Sequence, residues 1–394
     1  MANSLPAAVR SGALSQPTLS YFLMFIAIGM VSGILGPSLT HLAEQTGSTM
    51  SQIALLFTAR ALGVMCGAVI TGRLLDRFDG HRIILVMILL TLVSMLLVPL
   101  SPLLLMMLVI FVLGYAEVSI NVGGNLMLMR CYRERSGPYI SALHFCFGLG
   151  AMTVPLLVVW SLNLSGAVIW SFWAVALLLL MVGLMLFPQP SPSPPETQVA
   201  ESEDKPVDLP LFLILLLMFS IYVGIEMTYA GWISTYAVLE GLSSSDSAYL
   251  VSVFWFSLSI GRLLAIPLLR TGRYMTILLG CFLLAVMMII SLIKGALSLF
   301  WITLLFGLSM SAIFPTLFTL GSLLLKLNGK LTGLIFLSCG VGAMVAPSLT
   351  GPLIDKFSAA AMPLLLLGML LVMLLGVVAL RLRTRFLYVE NDRL

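Results

Sequence analysis

Long apolar runs and short polar breaks alternate along the chain. Twelve apolar stretches fall at roughly 19–42, 51–72, 83–99, 103–129, 139–161, 166–187, 210–239, 247–269, 274–294, 298–325, 332–354 and 360–381. A helix needs about 20 apolar residues to cross a hydrocarbon core of about 30 Å. Longer stretches permit tilt or interruption without fixing either. There is no alternation in segments of about ten residues, the mark of a membrane β-barrel. The pattern predicts an all-α membrane protein of twelve transmembrane helices. Residues 1–18 carry one Arg and no short apolar core with a cleavage site, so the first helix is expected to be retained.

One break is unlike the others. Pro188-Gln189-Pro190-Ser191-Pro192-Ser193-Pro194-Pro195 and the acidic stretch that follows it through Asp208 are too rich in proline and charge to pack. They predict a semi-extended tether at 188–209. The tether separates six spans at 1–187 from six at 210–394. The halves share a motif. Gly148-Leu149-Gly150-Ala151-Met152-Thr153-Val154-Pro155 in the fifth span matches Gly340-Val341-Gly342-Ala343-Met344-Val345-Ala346-Pro347 in the eleventh, 192 residues on. Two parallel six-helix repeats are a transporter arrangement, with a site near the midplane.

Composition agrees. Hydrophobic residues make up 60% of the chain and charged residues 9%, against about 25% charged in soluble domains. The net charge of +4 reflects orientation. With the N-terminus inside, 16 of the 20 Lys and Arg fall in cytoplasmic segments, Lys294 and Lys356 fall outside, and Arg60 and Arg262 lie within spans. Basic residues collect on the cytoplasmic side, so both termini are expected there, in a bacterial inner membrane. No nucleic-acid partner is implied, and a monomer in the bilayer is expected. The five cysteines have no metal-ligand spacing and read as small membrane hydrophobes. His41, His81 and His144 are dispersed and no phosphate-binding Gly-Lys-Ser/Thr loop occurs, so neither an enzyme nor an ATP-driven pump is supported. No cofactor is expected.

Against this apolar background, a few polar residues stand out. Glu117, Asn121 and Asn125 fall at i, i+4 and i+8 of the fourth span and share one helix face. Glu117 lies roughly 21 Å along the span, at about 1.5 Å per residue. An ionisable group at that depth marks a solvated pathway by default; a carboxyl locking two helices is the competing reading. Arg60, inside the second span, would offset Glu117 or hold an anionic group of the substrate. In the seventh span Glu226 shares its face roughly with Tyr229 and Tyr236, and Trp232 is close by. Acid with aromatics suits a sugar, or an organic cation through cation–π attraction. His144 reads as a proton relay or a packing histidine. Trp255 and Phe314 read as stacking platforms or packing, and Arg262 as a structural or gating residue.

The loop after the second span reads Gly72-Arg73-Leu74-Leu75-Asp76-Arg77-Phe78-Asp79-Gly80-His81-Arg82. Gly72 would allow close helix approach. Asp76 would cap a helix or pair with Arg77 or Arg82 as a cytoplasmic gate. This loop resembles the signature of the major facilitator superfamily, with one extra residue before Gly80. Glu117 with Asn121, the Phe314–Gly321 segment and the Gly340–Pro347 segment resemble the fucose–proton symporter family. Gly231-Trp232-Ile233-Ser234-Thr235-Tyr236 and Leu143-His144-Phe145 look closest to its sodium-dependent glucose transporter-like branch. The resemblance implies alternating access and inward movement of a sugar or related small polar solute with a proton or sodium ion. It also implies that Glu117 is the protonation or sugar-binding acid. Proton-coupled sugar porters of this family carry an acid in the first span, where this chain has Gly33, which rules out coupling by that residue. Proton-coupled efflux of amphipathic or cationic compounds is the alternative. A membrane sensor or scaffold without flux is the alternative of another class.

Overall fold

The computed structural model describes residues 16–132, 136–192, 208–325 and 329–391, without the side chains of residues 76, 136–138, 141, 329–330, 332 and 385–391. Among the described residues the structure is all α-helix apart from one 3-10 turn at Val98–Leu100. The first half comprises α1 (Gln16–Gly33), α2 (Leu35–Thr46), α3 (Met50–Arg77), α4 (Gly80–Leu97), α5 (Leu103–Tyr132), α6 (Ser136–Ser165) and α7 (Ile169–Leu186). The second comprises α8 (Leu209–Leu239), α9 (Ser244–Leu269), α10 (Tyr274–Lys294), α11 (Leu299–Ser311), α12 (Ile313–Leu325), α13 (Gly329–Phe357) and α14 (Ala361–Asn391). Twelve spans among the described residues are long and apolar enough to cross a membrane.

Fourteen helices make twelve spans because the first and tenth are interrupted, and proline explains both breaks. Proline has no N–H for the carbonyl four residues earlier. Pro37 leaves the Gly33 carbonyl without that bond, and α1 ends at Gly33. Pro315 does the same to Ser311, where α11 ends. Pro155, Pro267, Pro347 and Pro352 are carried inside unbroken helices, so proline alone does not dictate a break.

The chain forms two compact units. Unit 1 draws on Met1–Leu35 and Leu62–Gln198, and unit 2 on Gly36–Ala61 and Val199–Leu394. Residues 36–61, which the sequence assigns to the first half, thus pack with the second, and α3 begins in unit 2 and ends in unit 1.

In unit 1 the principal helix crossing is α1 on α6, and glycine makes it. A Cβ on Gly29 would collide with the Phe147 carbonyl, and one on Gly150 with the Ile26 carbonyl. Unit 2 repeats the device in α8 on α13, where a Cβ on Gly342 would collide with the Ser220 carbonyl. Lipid tails are as apolar as leucine, so helices in a bilayer associate through close backbone packing, which small residues permit. The repeated Gly-x-Gly segment is therefore a packing motif in both units.

Unit 2 also holds the first half of α3. Asp355, near the end of α13, accepts from the Met50 N–H at 3.2 Å, the Ser51 N–H at 2.6 Å and the Ser51 hydroxyl. These N–H groups lie in the first turn of α3, where no intrahelical acceptor exists and the dipole favours an anion. One turn of α13 earlier, a Cβ on Gly351 would meet the Met50 carbonyl. Two turns before Asp355, Ser348 bonds Thr58 at 2.6 Å.

Candidate functional site

Glu117 is the fifteenth residue of the 30-residue α5 and is only 8% exposed. The Asn125 side-chain amide donates to the Asn121 backbone carbonyl at 2.9 Å and to its Oδ1 at 3.1 Å, which continues a polar row along the Glu117 face. Gly124 lies on that face, two turns beyond Glu117, and its missing side chain makes room for Phe25 and Met24 of α1. His144 of α6 meets the Phe25 ring edge-on at 5.9 Å. Glu117, both asparagines and His144 are all in unit 1, on the helices that surround Phe25. Gly33 faces Val154 Cγ1 at 3.0 Å and the Ala151 carbonyl at 3.1 Å from its would-be Cβ, so a carboxylate has no room there.

The predicted residues of the second half separate into two groups. Tyr229 and Trp232 are fully buried, with their polar atoms engaged: Tyr229 Oη bonds Thr303 at 2.8 Å, and Trp232 Nε1 donates to the Pro347 carbonyl at 2.9 Å. Tyr229 stacks on Phe306 and Trp232 tilts against Phe57. These two residues tie α8 to α11, to α13 and to the first half of α3. The other group gathers around Glu226, which is 5% exposed. Arg262 Nη2 stands 3.6 Å from Glu226 Oε1. Tyr222 Oη sits beside both charges but completes a well-aligned hydrogen bond with neither. Half-buried Phe314 lies 5.9 Å from the Tyr222 ring. Outside both groups, Trp255 is buried against Phe254 with Nε1 unpartnered, and Tyr236 is 7% exposed. Arg60 is half-buried in the unit 2 part of α3, whereas Glu117 belongs to unit 1.

The predicted gate loop looks different. Nothing lies within 4 Å of a Cβ placed on Gly72, so close approach does not explain that glycine. Arg77 and Arg82 are exposed, and the Asp76 side chain lies outside the described residues. The helix cap is Asp79, whose Oδ1 accepts from the Arg82 N–H at 3.0 Å. Sequence reasoning missed His81. It is 2% exposed, with Nε2 2.6 Å from Tyr21 Oη and Nδ1 2.9 Å from the Gln189 carbonyl. A carbonyl only accepts, so Nδ1 carries the proton, and in the neutral ring Nε2 accepts from Tyr21. The ring thus fastens α1 and the start of the tether to α4. No local signal announces this, since both partners are remote in sequence.

Two bundles of membrane helices built on one repeated crossing define a class, and the comparisons place the chain in it. The family pattern of the Major Facilitator Superfamily matches residues 21–347. The chain belongs to that family: it is a multi-pass membrane transport protein of the alternating-access type and not an enzyme. It is 25% identical over 377 residues to sodium-dependent glucose transporter 1A of Mus musculus, covering 84% of this chain and 88% of that one. To sodium-dependent glucose transporter 1 of Xenopus laevis it is 27% identical over 365 residues, 83% of this chain and 74% of that one. Its fold matches the crystal structure of the nucleoside transporter NupG with a TM-score of 0.76 at 12% identity, over 93% of this chain and all of the other. It also matches the D-xylose–proton symporter with a TM-score of 0.72 at 13% identity, over 91% of this chain and 96% of that one.

Proposed function

We propose that the protein takes up a sugar or a related small polar solute together with a proton or sodium ion, and that Glu117 is the acid on which unit 1's part of the task depends. The observation that carries this is the buried Glu117 midway along α5, on one face with Asn121 and the Asn125 amide bonded to it. A carboxyl in that setting is too costly for packing alone, and side-chain amides supply both donors and acceptors for solute hydroxyls. The names of the glucose-transporter relatives support the solute class. His144 is a further titratable group in unit 1. The crowded Gly33 supports a coupling route that does not use the first span.

The test is counterflow of labelled sugars in liposomes, with imposed proton and sodium gradients, alongside thermal shifts in detergent. A ligand present at 100 times its dissociation constant stabilises by about 2.7 kcal/mol. Glu117→Gln is expected to abolish gradient-driven uptake. It should also remove the sugar-induced shift if the acid holds the solute, or leave that shift intact if it only couples. Sugar uptake unchanged in Glu117→Gln would refute the assignment, and shifts with cationic drugs alone would point to efflux.

A further inference from the structure

We propose that Tyr222, Glu226 and Arg262 form a second ligand site, within unit 2, that takes the carboxylate of a small polyhydroxylated acid, a sugar acid, together with one proton. This rests on the reading of the protein as a carrier of small polar solutes and narrows the solute class.

The pair is held loosely. Charge-assisted N–H···O bonds close to about 2.7–2.9 Å, whereas Arg262 stops 3.6 Å from Glu226. The Glu226 side chain is 7% exposed and that of Arg262 is 48% exposed, so Arg262 is the more accessible partner of the pair. Tyr222 Oη is fully buried beside the pair without a completed hydrogen bond. Two turns from Arg262, on the same face of α9, Trp255 Nε1 is a further buried donor without a partner, and Ser252 Oγ is unpartnered one turn beyond it. Arginine, tyrosine and tryptophan supply many donors, and among the described residues Glu226 is the one anion paired with them. Buried donors are almost always satisfied in a finished structure. What this group lacks is an acceptor, and a planar carboxylate fits an arginine fork two bonds at a time. The aromatic face of Phe314 next to Tyr222 and the Ser252 hydroxyl suit the ring and hydroxyls of a sugar acid.

Charge balance brings in the proton. When the solute carboxylate takes Arg262, Glu226 loses its cation. The titratable groups then facing it are Tyr222 on its own helix and Cys339 from α13. The packed helix α12 has no charged residue, and those of α14 begin at Arg381. None of these can neutralise a carboxylate, and a buried charge without a partner is not tolerated. Glu226 therefore takes one proton from water as Arg262 turns to the solute. One anion and one proton enter, and the net charge of the site stays constant.

The experiment compares glucuronate, its uncharged amide glucuronamide, and glucose as thermal-shift ligands for the detergent-purified full chain from pH 6 to pH 8. Glucuronate is expected to stabilise and glucuronamide to do so far less. Glucuronate affinity should fall about tenfold per pH unit, the slope of one proton taken up on binding. Arg262→Gln should lose the glucuronate response. Glu226→Gln, neutral and nearly isosteric, should bind glucuronate at least as tightly as the wild type but with no pH slope. It carries the test if Arg262→Gln does not fold. Equal shifts with glucuronate and glucuronamide would overturn the proposal, as would a folded Glu226→Gln that no longer binds glucuronate or keeps the slope. A neutral-sugar shift without preference for the acid would sink this site alone. No shift with any carbohydrate would sink it together with the sugar-uptake reading.

Discussion

The repeated glycine crossing gives the most direct test of the packing. At Gly342 an alanine methyl would press on the Ser220 carbonyl of α8, which is backbone and cannot rotate away. Overpacking a tight contact costs about 1–3 kcal/mol. Alanine also gains about 0.5–1 kcal/mol over glycine inside a helix, leaving a net loss of about 0–2.5 kcal/mol. Gly280 in α10 is the control: it is exposed, and nothing lies within 4 Å of its Cβ position. Gly280→Ala keeps the helix gain without the clash and should stabilise slightly. The two variants are thus expected to differ by about 1–3 kcal/mol, the clash term alone. Gly150→Ala should behave like Gly342→Ala, because it meets the Ile26 carbonyl in the same way. The assay is the apparent melting temperature of detergent-purified protein at one fixed scan rate, since irreversible unfolding makes the midpoint rate-dependent. Gly342→Ala melting at or above Gly280→Ala would refute the close crossing.

Three further outcomes are expected. Burial pushes the Asp208 carboxyl up, but the Arg383 guanidinium at 2.8 Å and the Leu211 N–H at 2.9 Å more than offset it and hold it below the usual carboxylate range. Its contribution is therefore present above the unfolded value of about 3.9 and is lost as pH falls through the lower folded value. Asp208→Ala should cost about 1–2 kcal/mol at pH 7, mostly the helix cap. The gap to wild type in thermal melts should close toward pH 3; a gap independent of pH would contradict this. Asp355→Ala should lose the acceptor of the Met50 and Ser51 N–H groups at the start of α3, about 0.5–2 kcal/mol, and Ser51→Ala should lose less because both backbone donors remain; equal losses would mean those backbone bonds are not the main ones. His81→Ala strands the Tyr21 hydroxyl at a cost of about 1–3 kcal/mol and should speed protease cleavage beside Gln189, whereas an unchanged cleavage rate would mean the ring does not fasten the tether.

The spans were legible because lipid demands a long apolar run wherever a helix meets it, and no distant partner enters that rule. The glycine repeat was legible for a related reason: its partners are backbone carbonyls, so any neighbouring helix will serve. Contacts that depend on a particular distant side chain were not legible. Asp355 and Ser51 lie 304 residues apart, and that bond holds residues 36–61 in unit 2, where hydropathy assigns them to the first half. From sequence Asp76 reads as the cap, whereas the observed start of α4 makes Asp79 the cap. Glu226 and Arg262 each stood out as intramembrane charges, but their spacing of 36 residues on different helices hid the pair. Trp232 and Tyr229 stood out beside an intramembrane acid, but the bonds of their polar atoms to other helices were hidden because those partners are remote in sequence.

The internal repeat separates what duplication kept from what it let diverge. The 192-residue offset of the glycine motif carries Gly33 to Ile225 and Ile34 to Glu226. The sequence Gly72-Arg73-Leu74-Leu75 returns as Gly261-Arg262-Leu263-Leu264, which makes Arg73 the counterpart of Arg262. The glycine crossings survive in both units because any side chain there strikes backbone. The ion pair does not: its unit 1 counterparts are the buried Ile34 and an exposed arginine. Unit 1 instead carries its buried acid at Glu117, and the 192-residue offset maps that position to Ser309. Among the described residues each unit therefore holds one buried acid, at positions that the repeat does not relate. Two acids with identical surroundings would respond alike to a proton or a solute. Here Glu117 stands on a row of amides and Glu226 beside an arginine, so the two units present different chemistry on one shared scaffold.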